Sequence, residues 1–432
     1  MTKTKSTMKS KSIHSTFLTA CLALLTVIPS SGQGRPENKC PIDADIWVLA
    51  GQSNMQGAGR TRDTLTDERI WMLNMDNTWM VARTPLHRIY ESTEPAYPIA
   101  HFELNPKAYQ NLDSAFARFE ALRVKSKEEP IGGVGPGIYF ARHVLQHTGR
   151  PIALIPCALG GSKIDQWDPG SITRGDSSLY GAMMNKIHQT GSKVKGLIWI
   201  QGESEAMLRR QDTYEENLLQ LFDSFRKDAG DPDLPILMVQ IGRFINGFSN
   251  MERSWEDIRE IQRNVPGERH NVFRVTGIDL PLDDCIHYST EGNRRLGRRL
   301  GELALTYVYH VPGHGKEIDI ESMRLGQDQA SGSHYLHLHF SGVTGGLRSE
   351  GLPNEFELRF GEEIRIYFVV NRAELHPSDK SGLKLFLSGL PQEQAQLICG
   401  PGSNPYMNIT DSLDMPIPAF GPLEIPLETE PE

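Results

Sequence analysis

Residues 45–55 read DIWVLAGQSNM, an unbroken apolar run from Ile46 to Ala50 that ends in Gly51-Gln52-Ser53-Asn54-Met55. Apolar residues in continuous rather than alternating order are expected of a strand covered on both faces, as in a parallel sheet. Four more runs of this kind follow, at Ile152 to Pro156, Leu197 to Ile200, Ile236 to Ile241 and Val272 to Ile278. Helical patterns near 137–147, 178–190, 213–227, 253–264 and 290–307 separate them. Strand–helix alternation predicts right-handed crossovers and an α/β fold built on a parallel sheet. The stretch from Arg60 to Pro130 interrupts the alternation and is expected to form long loops over the C-terminal edge of the sheet, where open α/β sheets bind ligands.

Beyond Val311-Pro312-Gly313-His314-Gly315 the pattern changes to period two: Phe356, Leu358 and Phe360, then Ile364, Ile366 and Phe368, then Leu383, Leu385 and Leu387. Turn residues between these runs predict a small antiparallel β-sandwich over 316–425, after an α/β domain over 40–310. The N-terminus has a third character. Lys3, Lys5, Lys9 and Lys11 precede an apolar run from Phe17 to Ile28 and a small-residue end at Pro29 to Gly32, the order of a signal peptide over 1–33. That run is short for a bilayer span, and the expected location is secreted or periplasmic. A lipid-anchored alternative rests on Leu18-Thr19-Ala20-Cys21, although most of the apolar run lies after Cys21 rather than before it.

The 432 residues carry a formal net charge of -9, which supplies no basic field for phosphates and works against nucleic-acid or anionic-membrane partners. An uncharged sugar is compatible with that balance. Cys40, Cys157, Cys285 and Cys399 remain after the leader; their pairing cannot be read from spacing, and no CxxC points to zinc.

Chemistry concentrates at strand ends. Ser53 sits between a glycine and a helix start just past a buried strand, where its hydroxyl and its own N–H can face one site; a plain helix cap is the alternative. Asp284 and His287, three apart just after the last run, can share one side of a turn, the carboxylate holding an imidazole N–H. Gly132-Gly133-Val134-Gly135-Pro136-Gly137 offers a free N–H at Gly135 and fails as a dinucleotide fingerprint, because no strand leads into it and Pro136 lacks a donor. Gln201, in Trp199-Ile200-Gln201-Gly202-Glu203, can donate its amide to a developing oxyanion, or can simply end a strand.

Together these segments resemble the SGNH-hydrolase superfamily, and within it the sialate O-acetylesterase or carbohydrate esterase family six branch. The matching stretches are GQSNM at 51–55, GVGPGIYFAR at 133–142, IPCALGGSKIDQW at 155–167, WIQGES at 199–204 and DDCIHYSTEGNRRLGRR at 283–299. The resemblance implies a three-layer α/β/α fold with a five-stranded parallel sheet, and hydrolysis of O-acetyl esters on sugars through an acyl-enzyme, with neither metal nor cofactor. Carried over, Ser53 is the nucleophile, His287 the base and Asp284 its orienting carboxylate, chosen over the adjacent Asp283 by the DxxH spacing. Ser53 N–H, Gly135 N–H and Gln201 form the implied oxyanion hole. Gln52, Asn54, His87, Gly160, Gly161, Ser162 and Glu203 are candidates to shape the substrate pocket, and Arg60 falls in a neighbouring stretch.

Two other readings compete: a sugar-binding protein without turnover, and a lipase or thioesterase of the same superfamily. Ser53, Asp284, His287 and Gln201 together are more than a binder needs. A lipase wants an apolar groove, whereas the 60–130 stretch is mixed and polar, with Trp71 and Trp79 suited to stacking on sugar rings or to packing on the sheet. His337 and His339 have metal-ligand spacing without an evident third ligand and read as exposed strand residues. Cys285 reads as a small buried neighbour of the site. Asn408-Ile409-Thr410 is a glycosylation sequon. The partner is an acetylated oligo- or polysaccharide; which sugar, and the oligomeric state, are not encoded in readable form.

Overall fold

A computed structural model describes residues 38–245, 249–360, 369–391 and 394–427. The leader and lipid-anchor expectations for residues 1–33, and the period-two run Ile364 to Phe368, lie outside the described residues. The central sheet contains β1 (Asp45–Gly51), β2 (Ile70–Leu73), β3 (Trp79–Val81), β4 (Ile152–Pro156), β5 (Val194–Ile200), β6 (Ile236–Gln240) and β7 (Val272–Thr276). Their order is β3-β2-β4-β1-β5-β6-β7, and every pairing is parallel except the β2–β3 hairpin. The five expected strands are the contiguous block β4-β1-β5-β6-β7, which the hairpin extends beyond β4. Because the chain runs from β1 outward to β4 and then returns to β5 on the other side, the topology switches beside β1, where such sheets open a crevice at their carboxyl ends.

Continuous apolar runs are needed because the two faces of each strand enter different cores. Trp47 and Leu49 point into one, while Ile46, Val48 and Ala50 point into the other. The helices are α1 (Ser53–Gln56), α2 (Ala96–Leu104), α3 (Leu112–Glu128), α4 (Gly137–Thr148), α5 (Leu179–Gln189), α6 (Glu203–Leu208), α7 (Gln211–Ala229), α8 (Glu252–Glu268) and α9 (Thr290–Tyr307). α4 and α9 cover the first face with Ile138, Val144, Leu296 and Leu300; α5, α7 and α8 cover the second with Tyr180, Leu218, Phe222 and Ile258. The result is three-layered, as expected.

The insertion differs from the expected loops. Ile70–Leu73 and Trp79–Val81 widen the sheet by a hairpin, and α2 and α3 pack on each other and into the second core through Tyr97, Ala100 and Phe119. Beyond α9 the chain forms β8 (Asp319–Gln327), β9 (His334–Ser341), β10 (Arg348–Ser349), β11 (Phe356–Arg359), β12 (Val370–Leu375), β13 (Gly382–Leu387), β14 (Gln396–Cys399), β15 (Ile409–Thr410) and β16 (Phe420–Glu424). They pair antiparallel as a four-stranded sheet β12-β13-β9-β8, a three-stranded sheet β11-β14-β16 and the short pair β10-β15. Phe340 of one sheet meets Phe420 of the other at 6.3 Å between ring centroids. These sheets share their apolar core with α4 and α9. Polar contacts also cross: Gln240 exchanges two hydrogen bonds with the Ala419 backbone, and buried Arg259 donates to the carbonyls of Gly402 and Ser403.

Candidate active site

Ser53 opens α1 directly beyond β1. The chain can leave β1 there only because residue 51 is glycine. At φ +124° its hypothetical Cβ would lie 2.0 Å from the Ile200 carbonyl oxygen on β5. The Gln52 N–H donates to that same oxygen at 2.8 Å, and the Gln52 side-chain oxygen accepts from the N–H groups of Gly202 and Ser204 at 3.3 and 3.2 Å. Ser53 is half-buried above this scaffold.

The histidine comes from a turn between β7 and α9. Asp283 N–H donates to the His287 carbonyl at 2.9 Å and Ser289 N–H to that of Pro281 at 2.9 Å, closing the turn. Asp284 has a local reason to be there: its Oδ1 accepts from the N–H groups of Ile286 and His287 at 2.9 and 2.8 Å, an aspartate turn. Its Oδ2 meets His287 Nδ1 at 2.7 Å. Partial burial acts to raise the Asp284 pKa, but the bonds from the His287 ring and the two amides outweigh it and hold the group at about 2. A carboxylate fixed in this way keeps Nδ1 protonated and turns Nε2 outward as the basic nitrogen. Asp283 faces elsewhere: its Oδ2 accepts from Arg60 N–H at 2.8 Å.

Asn54 joins the two halves. Its Oδ1 accepts from Tyr288 N–H at 3.1 Å, and its Nδ2 donates to the Ile286 carbonyl at 3.3 Å and to Glu203 Oε1 at 2.6 Å. The residue after Ser53 therefore grips the backbone on both sides of His287. Glu203 is buried, burial raises its pKa, and its second oxygen has no partner. Gly59 bridges to Val134, and Thr61 exchanges hydrogen bonds with the Thr290 side chain, lacing the glycine-rich loop and the His287 turn to the segment after Ser53. Gly57 presses on Gly135 so closely that a Cβ there would sit 2.3 Å from the Gly135 nitrogen. Among the described residues neither the Ser53 N–H nor the Gly135 N–H donates to another group.

Gln201 corrects the expected oxyanion hole. It is fully buried, and its amide donates to the Ser162 carbonyl at 3.3 Å and to Glu205. Both hydrogens are spent, so Gln201 braces the 160–162 loop from below. The pocket candidates divide the same way. Gln52, Asn54, Ser162, Glu203 and His87 are buried, each at most 3% exposed, and act as supports. Ser162 receives the Trp167 indole N–H at 3.0 Å, and His87 Nε2 lies 3.4 Å from the Leu49 carbonyl. Burial lowers the His87 pKa to about 4, so it stays neutral. Only Gly160 and Gly161 reach the surface. A Cβ on Gly160 would be 3.6 Å from Ser53 Cβ, so this glycine borders the nucleophile directly. Gln56, which no motif in the sequence marks, fixes it by accepting the Gly160 N–H at 2.6 Å.

Cys285 is exposed rather than buried, because the turn points it away from the aspartate bonds, and the four described cysteines are free. The indoles of Trp71 and Trp79 donate to the carbonyls of Glu68 and Asn38 at 2.8 Å each and pack on the second core, not at the site. His337 and His339 do acquire a third group: both bind Asp379 Oδ2, at 2.9 and 2.6 Å. No helix among the described residues is long and apolar enough to cross a membrane.

Residues 43–306 match the family described as carbohydrate esterase, sialic acid-specific acetylesterase. A probable carbohydrate esterase of Arabidopsis thaliana is 29% identical over 286 residues, which span 64% of this chain and 96% of that protein. The crystal structure of a carbohydrate acetylesterase from Xanthomonas citri superposes with a TM-score of 0.59 at 18% identity, over 87% of this chain and 80% of the other. At that identity the likeness is one of fold.

Proposed function

The chain belongs to the carbohydrate esterase, sialic acid-specific acetylesterase family and is a carboxylic ester hydrolase of acetylated sugars, and we propose that it works by acyl transfer through Ser53, His287 and Asp284. Ser53 Oγ attacks the acetyl carbonyl while His287 Nε2 takes its proton. Asp284 holds Nδ1 and stabilises the imidazolium. Negative charge develops on the former carbonyl oxygen, and the N–H groups of Ser53 and Gly135 receive it. The tetrahedral species collapses, the C–O bond to the sugar breaks, and His287 returns its proton to the leaving hydroxyl. Water then attacks the acetyl-serine by the same route and releases acetate.

The observation that carries this reading is the Asn54 clasp, which ties the neighbour of Ser53 to the backbone flanking His287, far away in sequence. We take the substrate to be an acetylated oligo- or polysaccharide, met after export directed by residues 1–33. Ser53→Ala and His287→Ala tested on acetylated xylan, acetylated sialic acid and p-nitrophenyl acetate should lose acetate release by about 10⁴-fold or more while folding is kept. Unchanged turnover in either variant, or a native preference for long-acyl esters, contradicts the proposal.

A further inference from the structure

At the opposite ends of α4 and α9 from the site, three imidazoles converge. The two helices run side by side, with Gly297 against Pro136 and Tyr139, and Gly301 against His143; a Cβ on Gly301 would lie 2.6 Å from the His143 ring. Glycine there makes room for the imidazole. His147 follows one turn later on the same helix face, and His314 arrives from the connector between α9 and β8. One ligand-capable atom from each of the three lies within 4.8 Å of the other two. Ring centroids are 4.4 Å apart for His143–His147 and 4.8 Å for His147–His314.

The hydrogen bonds around the rings separate this cluster from a chance gathering. His143 Nε2 meets Glu302 Oε1 at 2.6 Å, His314 Nδ1 meets Glu302 Oε2 at 3.0 Å, and His147 Nδ1 meets the His143 carbonyl at 2.9 Å. Each ring spends one nitrogen as a donor. In a neutral imidazole the second nitrogen is an acceptor, and here that would be Nδ1 of His143 and Nε2 of His147 and His314. Glu302 accepts from both rings and from the Gly315 N–H at 2.6 Å. A carboxylate or carbonyl that fixes the tautomer of a ring from behind is the arrangement found around metal-binding histidines.

We propose that His143, His147 and His314 bind one divalent transition-metal ion of the zinc class, oriented by Glu302. Three imidazoles without a thiolate suit Zn²⁺, Ni²⁺ or Cu²⁺ rather than Mg²⁺ or Ca²⁺. Zinc–nitrogen bonds of about 2.1 Å in a tetrahedral set place the nitrogens roughly 3.4 Å apart, so the rings close by at most about 1.4 Å around the ion, leaving a fourth position for water. The exposed His147 gives the ion a way in. The ion takes no part in ester hydrolysis. It clamps the far ends of the helices that follow Gly135 and His287 to the connector, which Glu302 already holds through Gly315 N–H at 2.6 Å. His337, His339 and Asp379 form the other three-residue group of this type among the described residues, but there both rings share a single carboxylate oxygen.

The test is zinc titration of the tag-free, chelator-stripped full chain by calorimetry, with Co²⁺ absorption reporting the ligand set. One ion per chain should bind. His147→Ala and His314→Ala should each weaken binding by 100-fold or more, and Glu302→Gln by about 10–100-fold, the usual loss for an orienting partner. The pair His337→Ala and His339→Ala should leave binding intact, and acetate release by His147→Ala should stay native. No binding tighter than about 10 μM, or binding that survives His147→Ala and His314→Ala, overturns the proposal.

Discussion

Replacing Asn54 by alanine removes three contacts at once and leaves their partners buried. Tyr288 N–H loses its acceptor and Glu203 Oε1 its donor, while the second Glu203 oxygen already has none. The Ile286 carbonyl loses a long contact of 3.3 Å, which contributes little. Orphaning a buried polar group costs about 1–3 kcal/mol, so the two strong losses together cost about 3 kcal/mol of stability. Glu203 limits its share by taking up a proton, which burial already favours. Turnover falls for a separate reason, since the His287 turn is no longer registered on Ser53, and a misplacement of about 1 Å costs on the order of 10²-fold in kcat. Asn54→Asp keeps the acceptor for Tyr288 but sets a second carboxylate against Glu203, so it should destabilise more at pH 8 than at pH 5. Urea unfolding and initial rates of acetate release measure both effects. An Asn54→Ala protein within about 0.5 kcal/mol of the parent and with native kcat refutes the clasp.

Asp284→Asn leaves the turn foldable but lets His287 Nδ1 lose its anionic partner; kcat should fall by about 10³–10⁴-fold with KM nearly constant, and a loss below tenfold would assign the orienting role elsewhere. Acid should act on the same pair: the Asp284 pKa is lowered, so the stabilisation it provides is present above the ordinary aspartate value and lost as pH falls toward about 2, a loss that unfolding curves of Asp284→Asn should lack. Burial pushes Glu205 up to about 7, against amide bonds from Ile164 and Gln201. The native state there holds a proton that the unfolded chain releases near pH 4, so stability drops as pH rises through about 7. Glu205→Gln removes that dependence, and its stability relative to the parent should rise by about 3 kcal/mol between pH 4.5 and 8; a flat difference contradicts the buried protonated carboxyl.

The parallel sheet was readable because strands buried on both faces leave no polar position, as in Ile46 to Ala50. The β2–β3 hairpin was not, since Ile70–Leu73 sits in a mixed polar stretch and takes its strand character from pairing with β4. At the site, Asp284 and His287 were legible because one turn brings them together. Gln201 and His87 are not legible as supports for a common reason: a polar residue beside a catalytic motif looks the same in sequence whether it faces ligand or core. Burial decides, and burial is a tertiary property. Cys285 erred in the opposite sense. The spacing of His143 and His147 on one helix is visible in the sequence, but nothing near them points to His314, which the α4–α9 packing delivers.

The nucleophile itself can be tested by covalent trapping. The full chain treated with a serine-reactive phosphonate and digested for mass spectrometry should carry one adduct, on the peptide containing Ser53, with acetate release falling in proportion to labelling and His287→Ala labelling far more slowly. An adduct on another serine, or full turnover after complete modification of Ser53, contradicts the account.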